Sequence, residues 1–474
     1  MTIDKTILFL NLPNKEQITR RYMCSYVSPE SLLPPLELIS LAAIARNQHY
    51  KVKLVDAIAE KKSEKQITED IIQYQPEIIT TIIGFECYQE DIDCIQRLKT
   101  QFPAITFITF GYYATEFPEE TLRYSLSDFV ISGEPDLIFN HLVQQDDFKI
   151  VEGICYLEEN KFIKQGKSER VQSMSKLPMP AYDLLKANLY YEPFVDKPYG
   201  MIQSMRGCPY KCNYCVKSFG TFTTSLTANE IIEHIQMWIK LHRVKTIRFI
   251  DDTFTLNRKR VVTICNQLIE HEIKISWMCL SRVDNLDDEL LALMSRAGCK
   301  RIYLGIESGS ESILEKLNKK MDVTASIDLL KRSQKTGIEF AGFFLGGLPF
   351  ESDSEFKASI RFAQKSDINF ASYNPMTPYP GTALFNQFKD EINFSIYPYK
   401  NEWKNKEILV TYEKRKKQFY KQFYFRFRFL LINNRILLKY IQQAPLMGYK
   451  LIQSLLLQNK FVIGGIKKTE NETS

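Results

Sequence analysis

The amino-acid sequence predicts an α/β chain in three parts: an open parallel sheet, a partial (β/α)6 TIM-like barrel and a helical C-terminal tail. Three observations predict this. Five short β-branched runs alternate with amphipathic stretches over the first 145 residues, six further strand and helix signals follow from Tyr199 to about Gln387, and from Tyr397 the chain turns basic and aromatic. At 474 residues the chain exceeds what one hydrophobic core supports, so two or three domains are expected. The divisions read as 1–145, a connector over 146–195, a core over 196–390 and a tail over 391–474.

In the first part the strand runs are 6–10, 51–55, 78–84, 105–109 and 129–131, with amphipathic stretches such as 36–48 and 89–100 between them. Strands separated by helices make a doubly wound, flavodoxin-like (Rossmann-type) sheet, whose ligands sit beyond the carboxyl ends of the strands. That rule picks out Asn11, Asp56, Gly84 with Phe85 and Glu86, Gly111 with Ala114 and Thr115, and Gly133 with Glu134. The connector carries a hairpin signal around Gly153 (150–157 and 161–164) and a proline-stiffened crossing over 177–183.

The barrel strands read as 201–205, 246–250, 275–280, 301–306, 338–345 and 369–374. Barrels carry their chemistry at the carboxyl ends of the strands, and polar or turn residues follow each one here. Cys208, Cys212 and Cys215 follow the first; Asp251-Asp252, Ser281-Arg282 and Glu307-Ser308 follow the next three; Gly346-Gly347 and Asn374-Pro375 follow the last two. Asp251 and Asp252 suit an amine or a ribose, with helix capping the alternative for one of them. Gly346 and Gly347 suit close approach of backbone to a ligand, or a simple turn. Arg206 and Lys211 flank the cysteines.

The segment Arg206-Gly207-Cys208-Pro209-Tyr210-Lys211-Cys212-Asn213-Tyr214-Cys215 holds three thiolates at CxxxCxxC spacing. Soft thiolates select zinc or iron–sulfur clusters, and four of them would close a structural site. The next cysteine, Cys265, lies fifty residues downstream in a helical pattern, so one coordination position stays open. A zinc knuckle or a redox pair favours CxxC pairs with a second pair or histidines.

With Tyr214 just before the last cysteine, this run resembles the radical S-adenosylmethionine (SAM) superfamily. The resemblance implies a [4Fe–4S] cluster on Cys208, Cys212 and Cys215, SAM chelating the open iron, and one-electron cleavage to a 5′-deoxyadenosyl radical. It implies SAM contacts at Tyr214, Asp251, Asp252, Arg282, Glu307, Gly346 and Gly347, an Arg282–Glu307 ion pair being the structural alternative. Pro34-Pro35-Leu36-Glu37-Leu38, Leu54-Val55-Asp56-Ala57, Gly111 with Ala114-Thr115, and Gly133-Glu134 are similar to the cobalamin-binding domain that precedes the barrel in one subgroup. That subgroup includes anaerobic Mg-protoporphyrin cyclase, hopanoid methylases and phosphinate methylases. The likeness implies cobalamin contacts at Asn11, Asp56, Gly84, Gly111, Ala114, Gly133 and Glu134. Asp56-Ala57-Ile58-Ala59-Glu60 holds no histidine, so the implied cobalamin is base-off; a sheet holding another ligand, or none, fits the same absence. Gly111-Tyr112-Tyr113 departs from the subgroup's usual Gly-Gly.

The implied activity is methyl transfer to an unactivated carbon of a small molecule, lipid-like or a secondary metabolite, with a one-electron reductant such as flavodoxin or ferredoxin as partner. A non-methylating radical cyclase or oxidoreductase shares every motif, and a non-catalytic cobalamin sensor is the alternative of another class. A methylthiotransferase would need three further cluster cysteines, and Cys24, Cys87 and Cys94 are badly spaced for that.

The ten cysteines form no disulfide-like framework, the N-terminus shows no basic region followed by an apolar stretch, and no run approaches the length a membrane span needs. The expectation is a reduced, cytoplasmic protein. Its net charge of +6 divides unevenly: residues 396–474 hold 16 Lys and Arg against 5 Asp and Glu, leaving the rest of the chain acidic. Phe419, Phe423 and Phe427 repeat every four residues in that basic tail, predicting a helix with an aromatic face. Packing against the core is the first reading, contact with the inner membrane surface the second, and nucleic acid the least favoured.

Overall fold

The computed structural model describes residues 5–22, 25–27, 31–167, 169–217, 219–393 and 403–424. Cys24, the aromatic residues beyond Tyr424 and the amphipathic stretch after them lie outside the described residues. The first part runs β1 (Thr6–Asn11), β2 (Ile18–Arg20), β3 (Ser25–Val27), α1 (Leu36–Asn47), β4 (Lys51–Asp56), α2 (Glu64–Tyr74), β5 (Ile78–Ile82), α3 (Tyr88–Gln101), β6 (Thr106–Phe110), α4 (Tyr112–Glu116), α5 (Pro118–Ser125), β7 (Phe129–Ile131), α6 (Pro135–Leu142), β8 (Ile154–Glu158) and β9 (Lys161–Lys164). Its sheet has the order β4-β1-β5-β6-β7-β8-β9. The first five strands are parallel, and β8 and β9 join antiparallel at one edge. The hairpin expected in the connector therefore extends the first sheet beyond residue 145.

The central strand β1 reads as a continuous apolar run over residues 7–10, because helices cover both faces. On one face Ile7 and Phe9 pack with Leu38 and Leu41 of α1 and Phe139 of α6. On the other, Leu8 and Leu10 pack with Ile67 of α2 and Ile95 of α3. The strand order reverses between β1 and β5, the position where open α/β sheets form a crevice. Arg20 from β2 reaches that position, donating to Asn11 Oδ1 (3.0 Å), the Leu12 carbonyl (2.8 Å) and both carboxylate oxygens of Asp91 (2.9 and 2.6 Å). Asp91 in turn accepts from the Gly84 N–H at 2.8 Å. Neither charged side chain has any exposed surface.

The second part runs β10 (Tyr199–Ile202), β11 (Met205–Arg206), β12 (Thr224–Ser225), α7 (Ala228–His242), β13 (Thr246–Phe249), α8 (Arg258–Glu270), β14 (Ser276–Ser281), α9 (Asp288–Arg296), β15 (Cys299–Glu307), α10 (Glu311–Lys316), α11 (Val323–Arg332), β16 (Glu339–Gly346), α12 (Asp353–Lys365), β17 (Phe370–Pro375), α13 (Ala383–Phe388) and α14 (Lys406–Tyr424). Its main sheet is parallel throughout, in the order β10-β13-β14-β15-β16-β17. Two of the helices that follow strands start at reciprocal capping boxes, Thr227 with Glu230 for α7 and Ser352 with Glu355 for α12.

The connector packs between the sheets. Tyr190 donates to Asp56 Oδ2 (2.9 Å), Leu32 and Tyr191 exchange backbone hydrogen bonds, and the Tyr182 hydroxyl meets Nδ1 of His234 on α7 at 2.8 Å. Glu192 then accepts from Arg248 (2.9 Å), Tyr199 (3.2 Å) and Tyr303, while Phe194 stacks on Phe370. The connector thus crosses from β10 to β17, the two edge strands.

Only the near half of the tail's expected aromatic face is described, and the core uses it. On α14, Tyr412, Arg415, Phe419 and Phe423 are buried, at helical spacing. Tyr412 and Phe419 stack on Tyr373, and Phe419 also meets Phe344. Beyond apolar contact, α14 satisfies the free backbone of β17. The Ala371 and Tyr373 N–H groups donate to the hydroxyls of Tyr424 and Tyr420, each at 3.1 Å, and the Tyr412 hydroxyl donates to the Tyr373 carbonyl. An edge strand is thereby covered by side chains rather than by another strand. No described helix is long and apolar enough to cross a membrane.

Removing one partner of a buried ion pair strands the other, so Arg20→Ala should lower unfolding free energy by about 3–5 kcal/mol in denaturant titrations, against a negligible effect for Arg46→Ala, whose pair with Asp183 is exposed. Burial holds the His234 imidazole down to about 4 from its ordinary 6.5. The unfolded chain therefore binds a proton that the folded one refuses, and this contribution is complete above about pH 6.5 and lost as pH falls toward 4. Wild type should lose about 2 kcal/mol between pH 7 and pH 5 through this group; His234→Gln should flatten that part of the profile.

Candidate functional site

The three cysteines lie on the loop between β11 and β12. Arg206 and Thr224 pair across that two-stranded ribbon, and the Cys208 N–H donates to the Gly220 carbonyl at 3.1 Å, closing the loop. Gly207 enters it at φ +85°, and a Cβ there would stand 2.1 Å from the Phe222 carbonyl oxygen. On the far side Asn213 donates through its backbone to Leu317 and through Nδ2 to the Lys316 carbonyl, tying the loop to the end of α10.

Cys208 and Cys212 are half-buried, and Cys215 is open on one side with protein packed closely on the others. Burial raises the Cys208 thiol, with the Asp252 charge adding to it. The protein packed around Cys215 pushes its thiol up to about 12 by desolvation, helped by Asp252, the other two cysteines and Glu307. The three sulfurs are thus near enough to feel one another's charge. Among the described residues no three His, Cys, Asp or Glu side chains close on a point that would hold one metal ion. Three thiols at this spacing suit a polynuclear cluster.

The other expected residues divide between site and scaffold. Asp252 stands at the mouth, its carboxyl pushed up to about 6 by burial and by Asp251 beside it. Asp251 is fully buried and already occupied: it accepts from the Ser204 N–H (2.6 Å), the Met205 N–H (2.9 Å) and the Ser204 hydroxyl, with Arg260 at 3.8 Å. It braces the backbone leading into the cysteine loop. The alternative Arg282–Glu307 ion pair is not formed. Arg282 pairs with Asp284 (2.9 Å), donates to the Lys320 carbonyl (2.6 Å), lies over the Tyr210 ring and brings Nη1 to 3.9 Å from Cys212 Sγ.

Glu307 pairs with Lys319 at 2.8 Å, and both are buried. The pair lies over Gly305, where a Cβ would stand 2.7 Å from the Glu307 carboxylate. The register with β16 shifts between Gly305 and Glu307, and Glu307 takes φ +66°. A bulge that re-aims one side chain beside a site is a recurrent device. The Tyr214 hydroxyl lies close enough to Glu307 for the carboxylate to add to the effect of burial in raising it. Gly346 and Gly347 have local reasons: a Cβ on Gly346 would enter the Tyr373 ring at 2.3 Å, and Gly347 turns at φ +72° beside Tyr412. Lys319, Gly305 and Arg260 were missed because their partners are distant in sequence and no local motif marks them.

At the first sheet, Asn11, Asp56, Gly84, Gly111, Ala114, Gly133 and Glu134 all sit at or just beyond strand ends. Their polar groups are largely engaged within the protein. Asn11 Nδ2 donates to Asp56 Oδ1 at 2.8 Å, and the Gly133 N–H donates to Thr115 Oγ1 at 3.1 Å. Gly111 at φ +125° has no room for a Cβ against the Ile83 carbonyl, and Ala114 is buried. Glu134 accepts from Arg206 at 2.6 Å, so the Arg206 guanidinium is held by the first domain. Three buried polar atoms on this edge do lack partners: Asn14 Nδ2, Thr19 Oγ1 and Glu37 Oε2.

Because the Phe222 carbonyl cannot yield without moving backbone, Gly207→Ala should displace the loop. The variant should fold with an unchanged circular dichroism spectrum but take up well under half the wild-type iron on anaerobic reconstitution.

Residues 202–363 match the radical SAM superfamily. An uncharacterized methyltransferase of Pyrococcus horikoshii is 33% identical over 364 residues, covering 74% of this chain and 78% of the relative. The anaerobic magnesium-protoporphyrin IX monomethyl ester cyclase of Rubrivivax gelatinosus is 24% identical, covering 76% of this chain and 67% of that protein. In fold, the chain resembles the cobalamin-dependent SAM radical enzyme OxsB (TM-score 0.67, 18% identity, 82% of this chain and 62% of that one). It likewise resembles the radical SAM methyltransferase TsrM of Kitasatospora setae (TM-score 0.65, 14% identity, 82% and 75%). The chain spans about three fifths of OxsB. With a relative one-third identical along most of both chains, and the cysteine loop inside the matched region, the chain belongs to the radical SAM superfamily.

Proposed function

We propose that the chain is a cobalamin-dependent methyltransferase acting on an unactivated carbon of a small molecule. The observation that carries this is the meeting of Cys208, Cys212 and Cys215 with Asp252, Arg282 and Glu307 at one mouth, opposite a sheet edge of the kind that binds ligands. The methyltransferase names of the P. horikoshii relative and of TsrM, and the cobalamin bound by OxsB, support it. The accompanying architecture is a flavodoxin-like sheet and a partial (β/α)6 barrel, with limits near 1–145, 146–195, 196–390 and 391–474.

When bound, the cluster and SAM supply radical hydrogen abstraction and cobalamin supplies the methyl group. The residues do the rest. Cys208, Cys212 and Cys215 hold the cluster, and the Arg282 guanidinium beside Cys212 raises its potential by withdrawing charge from sulfur. Tyr214, Asp252, Glu307 and the backbone around Gly346 and Gly347 line the SAM position; Lys319 pairs with Glu307 and keeps it in place.

For cobalamin, the edge formed by Asn11, Asp56, Gly84, Gly111, Ala114 and Gly133 fits on one count: the unpartnered Asn14, Thr19 and Glu37 atoms await a polar ligand such as the amide-rimmed corrin. The segment after Asp56 offers no histidine, which makes the bound form base-off.

Anaerobic purification with cobalamin, followed by iron, sulfide and cobalt analysis, tests this. About four irons and one cobalt per chain are expected, with iron lost and cobalt kept in a Cys208/Cys212/Cys215 triple alanine variant. Iron without cobalt overturns the methyl-transfer reading. The cyclase relative keeps ring closure as the second reading, and product mass separates it from methylation.

A further inference from the structure

Arg206 stands two residues before Cys208, yet its guanidinium is engaged by the other sheet. Nη1 donates to Glu134 Oε1 and Asp136 Oδ2, both at 2.6 Å, Nη2 donates to Asp136 Oδ1 at 3.2 Å, and Nε donates to Gln203 at 2.8 Å. Glu134 stands at the N-cap position of α6, just after β7, and Asp136 lies in the first turn of α6, so both acids belong to the first domain. All three side chains are at most 7% exposed. A second contact runs beside the first. The Arg206 guanidinium lies over the Phe219 ring, Phe219 stacks on Tyr22, and the Tyr22 hydroxyl meets Thr115 Oγ1 (3.2 Å), which also accepts from Gly133. Gly220, the residue after Phe219, closes the cysteine loop by accepting from the Cys208 N–H.

Stability alone explains this poorly. Burying one cation with two carboxylates is costly, and apolar residues of the same volume would hold two domains at least as well. What a forked guanidinium adds is orientation, because two carboxylates at fixed positions leave it one pose.

We propose that Glu134 and Asp136 are positioning residues for the three-cysteine loop: by fixing Arg206, and with it Phe219, the first domain sets the geometry of residues 207–217 and so the electronic state of the cluster they hold. The second half of this statement rests on the iron–sulfur reading; the first does not.

The test uses the full chain with Asp136→Asn and, as a second variant that keeps the charge but loses the fork, Arg206→Lys. In the iron-free protein, amide hydrogen exchange over 207–217 should quicken at least about tenfold in either variant, with α9 and the core strands of both sheets unchanged. After anaerobic reconstitution, the reduced cluster should show an altered electron paramagnetic resonance spectrum and a shifted midpoint potential. Wild-type exchange in 207–217 in a folded variant would overturn the proposal. So would quickened exchange with a wild-type spectrum and potential in the loaded protein. If wild type itself takes up no iron, the family reading fails at this site, and the exchange result still decides whether the acids hold the loop.

Discussion

Arg206 carries a full positive charge into the seam between two sheets, and everything that meets there depends on how that charge is held. Charges buried this deeply stay only if they are paired and hydrogen-bonded. The requirement ties β7 and α6 to the start of the cysteine loop, since no other described acid accepts from this guanidinium. Exposed ion pairs between the same parts, such as Lys186 with Glu60, are screened by water and contribute little. The same principle operates within the first sheet, where Arg20 and Asp91 pair, fully buried, between the ends of β1 and β5. The site is therefore assembled by a few buried ions that cross between segments far apart in the chain.

That distance explains what the sequence discloses. The central strands of the first sheet are legible because helices cover both faces, which favours apolar runs such as residues 7–10 of β1. The cysteine loop is legible because its three ligands must lie within one tight turn. The hairpin of β2 and β3 is not legible: three-residue strands carry little pattern, and the meaning of Arg20 appears only with Asp91, 71 residues away. Asp251 and Asp252 show a subtler limit. Successive residues leaving a strand point to opposite sides, so one carboxylate faces the site and its neighbour faces the scaffold. Which is which depends on the twist of the strand, and composition does not record it.

Gly346 and Gly347 make a similar point. A glycine pair after a strand reads as room for a ligand, and here each glycine also has a packing reason: Tyr373 leaves no space for a Cβ on Gly346, and Gly347 turns at positive φ beside Tyr412. Both tyrosines belong to the packing of α14, which the sequence marks as aromatic without saying against what. The helix and the glycines explain each other once they are seen together.

The covering of β17 by α14 also has a consequence in time. A ribosome delivers the chain in order, and about fifty residues separate the end of β17 from Tyr424, the last hydroxyl that satisfies its backbone. At cellular elongation rates that interval lasts roughly 2 to 10 seconds. During it the parallel sheet is complete on one side and raw on the other, its Ala371 and Tyr373 amides open to any strand that passes. The nascent chain is at its stickiest just before the tail emerges, and the tail's first task is to end that exposure.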